Sequence, residues 1–477
     1  YLLKTPPGIL EMLQIKGLGP KKIATIWKEL DIETIGELLY ACNENRLMLY
    51  KGFGEKTQQN VKEAIEFYLG SQGSYLYQQI ELFAINVSQK LKLMFNSQYF
   101  WITGDFRKQA TVIEKLDWVT TVSKEMFIDF FTKHQYQLVD ETSNYVSFVG
   151  NENVTLGFYS VPKSMVFQQL FKTSCSDIFL QEWHAQFPDW ELNTYASEEA
   201  IFQKHHVQFI IPAQRENDTI IHQAKQQALK KTIEVQEIRG IIHSHSTWSD
   251  GNDSLRDMAF AAKEKGYQYL VISDHSKTAA YAQGLQVERV LAQHNEIEAL
   301  NKQLAPFKIF KSIESDILSD GSLDYEKDVL ASFDIIIASV HSNLKMNEEK
   351  AMMRLLTAIE NPYTSILGHL TGRLLLSRAG YPINHQKIID ACAAHNVVIE
   401  LNAHPRRLDI DWKYIDYAMK KNVLISINPD AHAIEGFDDC KYGVLAAQKA
   451  GLTDKHNLSS FNLLEFELFV QAQKRKR

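Results

Sequence analysis

The sequence predicts a multidomain α/β protein: a small helical N-terminal domain, an α+β middle, and a C-terminal seven-stranded β/α barrel. Three observations predict it. Two glycine motifs sit between helical patterns near the N-terminus. The middle mixes short strand-like runs with helices. The C-terminal half alternates seven apolar, β-rich runs with helical patterns, each run closing on polar residues. The 477 residues suit about three or four domains. The expected boundaries are 1–72, 73–165, 166–232 and 233–477.

Composition narrows the class. With 45% hydrophobic and 23% charged residues, the chain reads as an ordinary globular protein. A net charge of −7 does not advertise a nucleic-acid binder, although a local binding surface can exist inside an acidic whole. Cys42, Cys175, Cys392 and Cys440 are far apart and form no CxxC. That argues against a disulfide framework or a thiolate zinc site and fits a reducing cytoplasm, the expected location. No apolar run is long enough to span a membrane, and no secretory signal is evident. The chain starts at Tyr1 and not Met, so an N-terminal piece is expected to be missing.

The N-terminal motifs are Ile15-Lys16-Gly17-Leu18-Gly19-Pro20-Lys21-Lys22 and Leu49-Tyr50-Lys51-Gly52-Phe53-Gly54-Glu55-Lys56. Helical patterns flank them at 8–13, 21–30, 35–42 and 56–69. Pro20 suits a first helical turn. The glycines let the backbone turn tightly and present bare N–H groups to an anion at the helix N-terminus. The alternative is two helical turns with glycine caps and no ligand. This pattern resembles the helix-hairpin-helix module, which grips the DNA backbone without reading sequence. The resemblance implies DNA contacts through Gly17, Gly19, Lys21, Lys22, Gly52, Gly54 and Lys56.

In the middle, residues 75–95 carry apolar side chains at helical spacing. Strand-like runs follow at 99–103, 118–122, 145–149 and 154–161, with helices near 123–134 and 162–172. The mix predicts a mainly antiparallel sheet. Residues 218–233 read as a polar helix and linker.

The C-terminal runs are 238–245, 269–275, 307–314, 333–341, 365–369, 397–402 and 423–432. Helical patterns separate them at 254–266, 286–303, 347–360, 384–395, 411–421 and 440–450. Continuous apolar runs alternating with helices imply buried parallel strands, and seven units imply a closed or nearly closed barrel. Barrel sites lie at the C-terminal ends of strands. Six of the sixteen histidines fall there: His243, His245, His275, His341, His369 and His432. His243 and His245, two apart, point to the same side of a strand end. Asp250, Glu314 and Asp430 add carboxylates. Imidazoles with a few carboxylates suit Zn, Mn or Fe. Nine ligands are too many for one ion and predict a cluster of two or three divalent ions, with Glu314 bridging.

In their order, the three parts resemble a bacterial family X DNA polymerase joined to a PHP (polymerase and histidinol phosphatase) domain, over nearly the whole chain. All nine residues match that family's metal ligands. The family's amino-terminal lyase-type domain is not expected in this sequence. Its palm and thumb correspond to 73–165 and 166–232. The palm departs from the pattern. Its Gly-Ser-x-Arg-Arg run is Gly104-Asp105-Phe106-Arg107-Lys108, and its Asp-x-Asp pair is Lys115-Leu116-Asp117. The strand expected to supply a third Asp has no acid, and the nucleotide-binding element reads Leu170-Phe171-Lys172-Thr173-Ser174 without its Gly. Two-metal nucleotidyl transfer needs those carboxylates, so polymerase activity is expected to be lost.

A clustered metal site predicts in-line displacement at phosphorus. Arg373, which follows a ligand in His369-Leu370-Thr371-Gly372-Arg373, is the expected phosphate clamp. Arg406 and Arg407 come next, unless they are surface ion-pair partners. Asp274 is expected to orient a ligand histidine. His404 is read as bracing the site or lying on the surface. The expected function is a metal-dependent DNA phosphodiesterase; the resemblance implies a 3′→5′ exonuclease acting in repair. The alternatives are a phosphomonoesterase, acting as a DNA 3′-phosphatase or on a histidinol-phosphate-like molecule, and a DNA-binding scaffold with both sites dead.

Overall fold

Four helices build the N-terminal domain in the computed structural model, which describes residues 5–15, 17–70, 73–150 and 153–477. They are Pro7–Glu11, Pro20–Glu29, Ile35–Asn43 and Glu55–Gly70. Local chemistry starts them. Pro20 follows Gly19 at the head of the second. Thr34 caps the third in a reciprocal pair with Glu37: Thr34 Oγ1 accepts the Glu37 N–H at 3.1 Å, and the Glu37 carboxylate accepts the Thr34 N–H at 3.0 Å. Lys16 and the expected boundary at 72 lie outside the described residues.

The chain divides into two compact units. One is Glu66–Lys231. The other joins the preceding N-terminal helices to Thr232–Arg477.

In the first unit a five-stranded sheet runs in the order Phe100–Thr103, Lys115–Thr120, Thr155–Ser160, Tyr145–Val149, Gln137–Glu141. It is antiparallel except between Lys115–Thr120 and Thr155–Ser160. Gln137–Glu141 is exposed at every position, so no apolar alternation marks it in the sequence. Trp118, Phe127, Phe131, Phe148 and Phe158 form the core on one face. A second cluster gathers Phe171, Trp183, Trp190 and Phe202 among short helices. The polar helix expected over 218–233 is confined to Thr219–Lys225, where Ile221 and Ala224 anchor it in that cluster. Beyond Lys225 the apolar spacing that would hold a helix down ends.

In the second unit all seven expected runs form strands: Gly240–Ile241, Tyr269–Ile272, Lys308–Lys311, Ile337–Ser339, Ile366–Leu367, Val398–Asn402 and Ile425–Asn428. The third breaks after Lys311 and resumes as Glu314–Asp316. All the pairings are parallel. Bridges His275↔Glu314 and Ser244↔Ala431 join the two sheets, and the second brings the first run beside the last to close the ring. A helix that the sequence reading missed, Leu463–Arg475, packs Phe466 against Tyr269 and Phe310. Its approach meets the strand starts, where Leu463 N–H donates to Gln268 and Tyr269 Oη donates to the Phe461 carbonyl. The histidines lie at the other end of the strands.

Candidate metal centre

Six of the seven barrel runs deliver a candidate ligand as the apolar stretch gives out; Val398–Asn402 delivers supporting residues instead. His243 follows the buried Ile241-Ile242, and Asp430 follows Ile425–Asn428. Both have left-handed backbone, φ +65° and +53°, uncommon for residues other than glycine. The Ser244↔Ala431 bridge lies between them and holds the two turns side by side.

The nine predicted ligands converge. Glu314 is the hub: His369 Nε2 is 2.9 Å from its Oε1, His341 Nε2 3.2 Å and His243 Nε2 3.3 Å, while His275 Nδ1 is 3.0 Å from Oε2. Asp430 Oδ1 meets His245 Nε2 at 3.1 Å and His243 Nε2 at 3.3 Å. Asp250 lies 3.5 Å from His432 and 3.6 Å from His275. Three overlapping groups result: His245, Asp250, His275 and His432; His243, His245 and Glu314; and His275, Glu314 and His341.

The donor atoms fit a cation. Among the described residues, buried side-chain atoms at His243 Nε2, His245 Nδ1, Asp250 Oδ2, His275 Nδ1, Glu314 Oε2, His369 Nδ1 and His432 Nε2 make no well-directed hydrogen bond, close as some of them lie to one another. Buried polar atoms are nearly always satisfied, so seven orphans in one place call for a shared electrophile. The charges agree. Burial works against an ionised Glu314, but His341, His243 and His275 hold its carboxylate well below the usual range. Burial, reinforced by His432 and His275, pushes His245 down to about 3 and leaves it neutral. Burial also opposes charge on His341, yet Glu314 and Asp316 raise it to about 10. A divalent ion would take the place of that proton.

Several supporting residues had no assigned role in the sequence reading. Glu400 accepts from His243 Nδ1 at 2.7 Å and from the His369 N–H at 2.8 Å, leaving His243 Nε2 toward the cluster. Asp316 accepts from His341 Nδ1. Asn402 donates to Asp430 Oδ2 at 2.9 Å. A signal existed for Glu400: an acid buried within Val398-Ile399-Glu400-Leu401 needs a partner.

Two expected roles are corrected. Asp274 orients no histidine. It accepts from Ser246 N at 2.8 Å, Ser249 N at 3.1 Å, Ser249 Oγ at 2.6 Å and Gln293 Nε2 at 2.6 Å, bracing the turn that delivers Asp250. Neighbours along an extended chain point to opposite sides, so Asp274 faces away from the side taken by His275. Arg373 does not clamp at the cluster. Its Nη1 pairs with Asp411 at 2.5 Å, its Nε donates to the Arg407 carbonyl at 2.9 Å, and Nη2 donates to the Leu408 carbonyl. The left-handed Gly372, φ +62°, turns the chain just before it. Arg407 is the guanidinium beside the cluster, buried, with Nε 3.7 Å from Asp430 Oδ2. Arg406 is buried too, and His404 packs edge-on against Tyr40 at 5.4 Å.

The two hairpins share one geometry. Gly17 and Gly52 take φ of +94° and +96°, and Leu18 and Phe53 plug the core between the glycines. Gly19 and Gly54 have no such backbone requirement, and a Cβ on either would meet nothing within 4 Å. Packing therefore does not demand glycine there; close approach from outside would. Lys21 and Lys56 are exposed, while Lys22 Nζ donates to the Gly17 carbonyl at 3.3 Å.

In the palm-like sheet, Lys115 and Asp117 share a face, with Nζ 3.1 Å from the carboxylate, and Tyr145 Oη donates to Asp117 at 3.0 Å. Opposite them stand Thr155 and Gly157. Arg107 forks onto Glu198 at 2.8 and 2.7 Å. Thr173 and Ser174 bond to Thr103.

Comparison with known proteins adds a framework. Residues 242–404 match the PHP domain, and residues 9–66 match a SAM-like helix-hairpin-helix tandem. A Bacillus subtilis protein described as DNA polymerase/3′-5′ exonuclease PolX is 32% identical, over 98% of this chain and 85% of its own length. A probable phosphatase of Thermoanaerobacter sp. is 24% identical over 49% of this chain and 95% of its own. A solved histidinol phosphate phosphatase from Lactococcus lactis, complexed with zinc, L-histidinol and phosphate, overlays loosely, with a TM-score of 0.36 and 16% identity over 46% of this chain and 95% of that one.

Proposed function

The chain belongs to the family X DNA polymerases of the PolX type, with tandem hairpins and a C-terminal PHP domain, and from that premise we propose that it is a metal-dependent phosphodiesterase that shortens DNA from the 3′ end in repair. One observation carries the reading: nine candidate ligand side chains converge at the strand ends, and seven of them hold a buried nitrogen or oxygen with no well-directed hydrogen bond. The imidazole-rich donor set suits two or three ions of Zn, Mn or Fe. When bound, such ions supply Lewis-acid stabilisation of the charge that develops at phosphorus. Glu314, touched by histidines from four other strand ends, would hold such ions together with those histidines. Glu400 and Asp316 hold His243 and His341 in the tautomer that aims Nε2 inward. The exposed glycine pairs of the hairpins, with Lys21, Lys22 and Lys56, take the phosphate backbone of DNA without reading its sequence.

Polymerase activity is lost in the same proposal. Lys115 neutralises Asp117, and the neighbouring strand contributes Thr155 and Gly157. Among the described residues no helix is long and apolar enough to cross a membrane, and the proposed site of action is the cytoplasm.

The test uses 3′-labelled and 5′-labelled oligonucleotides and a small phosphomonoester, with Mn²⁺ or Zn²⁺ and with EDTA. Laddering from the 3′ end is expected, abolished by EDTA and reduced by more than about a hundredfold in His243→Ala. Cleavage of the monoester alone would replace this reading with a phosphomonoesterase. A protein that shifts DNA but cuts nothing would be a scaffold.

A further inference from the structure

The hairpin domain is seated on the barrel beside the metal ligands. Gly36 packs so closely that a Cβ would come within 2.3 Å of Ser377 Cβ. Thr34 and Ser377 share a hydroxyl hydrogen bond of 2.6 Å, and Arg378 pairs with Glu37 at 2.6 Å. Tyr40 Oη accepts from Arg407 at 2.8 and 3.0 Å. Asn45 donates to Asn252, two residues beyond the ligand Asp250. The loop after the third helix, residues 44–46, therefore lies over the turn that carries a metal ligand.

A cavity of about 340 Å³ opens between the two surfaces, lined by Tyr40, Arg46, Tyr50, Tyr281, His341 and Arg407 among others. It is at the small end of ligand-cavity sizes and too small for paired strands. His341 places one wall on the metal cluster. Arg46 forms the opposite kind of wall. Its guanidinium lies 4.1 Å above the Tyr281 ring, and that ring is 6.2 Å from the His275 ring. Among the described residues only Nη1 of Arg46 has a hydrogen-bond partner, Glu44 at 3.3 Å, so four of its five N–H donors are unspent there. Tyr281 Oη is buried and has no partner either. Arg378 and Arg407 are committed to Glu37 and Tyr40; Arg46 is not so committed.

We infer that this cavity seats the terminal nucleotide of the substrate, with Arg46 of the hairpin domain taking the nucleotide's phosphate oxygens beside the metal cluster. The inference rests on the phosphodiesterase reading and extends it. The hairpin domain then completes the site as well as gripping DNA. A planar guanidinium with free donors matches a phosphate between it and metal ions. Tyr50 offers a ring to the base. The clamp that the sequence places at Arg373 belongs to Arg46, on another domain.

The experiment uses the full chain loaded with Mn²⁺. Binding of thymidine 5′-monophosphate, and of thymidine as the phosphate-free control, is measured by calorimetry for the wild type, Arg46→Gln and Arg46→Lys. Arg46→Gln is expected to weaken the monophosphate by about ten- to a hundredfold, the loss of a charged hydrogen bond. Thymidine binding and bound metal should be unchanged, and Arg46→Lys should recover part of the affinity. Equal monophosphate affinity in the wild type and Arg46→Gln overturns the inference. A wild type that binds the monophosphate through Arg46 yet leaves DNA intact would sustain the subsite and sink the exonuclease reading.

Discussion

Two sheets in this chain place acids where phosphoryl chemistry could occur, and their neighbours differ. In the barrel, Glu314 faces four imidazole nitrogens within 3.3 Å. In the palm-like sheet, Asp117 faces an ammonium at 3.1 Å. An imidazole can lose its proton and present a lone pair alongside the carboxylate. Lys115 cannot. Burial works against its charge, but Asp117 holds its pKa above the usual value. The difference teaches that a carboxylate's availability depends on what stands beside it. Both sheets keep acids; imidazoles surround Glu314, and an ammonium pairs with Asp117.

The largest effects should come from testing that contrast directly. Glu314→Gln removes the hub, and bound metal measured by elemental analysis should fall to a small fraction, with exonuclease activity down by more than about a hundredfold. Lys115→Ala should leave both quantities within about twofold, since its charge neutralises Asp117 alone. Lys115→Asp sets a second carboxylate beside Asp117 on its strand. Templated nucleotide incorporation should still be absent, because Thr155–Ser160 supplies no third. Incorporation by the wild type would break the comparison outright.

A smaller effect is expected at Glu400. Glu400→Gln keeps the shape but loses one of two acceptors, so His243 Nδ1 or the His369 N–H is left unmatched. Metal affinity, read by chelator competition, should drop by about ten- to a hundredfold. An unchanged affinity would remove Glu400 from the account.

Glu400 also shows where sequence stops being informative. The nine candidate ligands could be picked out because eight of them close an apolar run and Asp250 sits on the turn after the first, and the barrel was legible from the same runs. Their supports were not, because Glu400 and His243 are 157 positions apart and nothing local pairs them. Asp274 and Arg373 were found beside ligands but given wrong partners, since adjacency in sequence does not set side-chain direction. The hairpin domain's seat on the barrel was invisible for a similar reason: Gly36 looks like any helical glycine until Ser377 stands against it. The strand Gln137–Glu141 escaped notice because an exposed edge needs no apolar pattern.

A last contrast separates the two units by pH. Glu198 accepts two bonds from Arg107 and one from the fully buried Arg215. Burial disfavours its charge, yet Arg215 and then Arg107 outweigh burial and lower its pKa from about 4.5 to about 2. A carboxylate depressed in the folded state stabilises above its unfolded pKa and loses that contribution as pH falls toward the folded one. The unit Glu66–Lys231 should therefore lose roughly 2 kcal/mol of stability between about pH 6 and about pH 3 through this group. Trp183 and Trp190 are buried in the same cluster, so their fluorescence in urea titrations reports it. Glu198→Gln leaves two guanidiniums without a counter-charge. It should cost about 3–5 kcal/mol at neutral pH and flatten the acid dependence. A variant with the wild-type pH slope would show that the ion network does not set the stability of the palm-like unit.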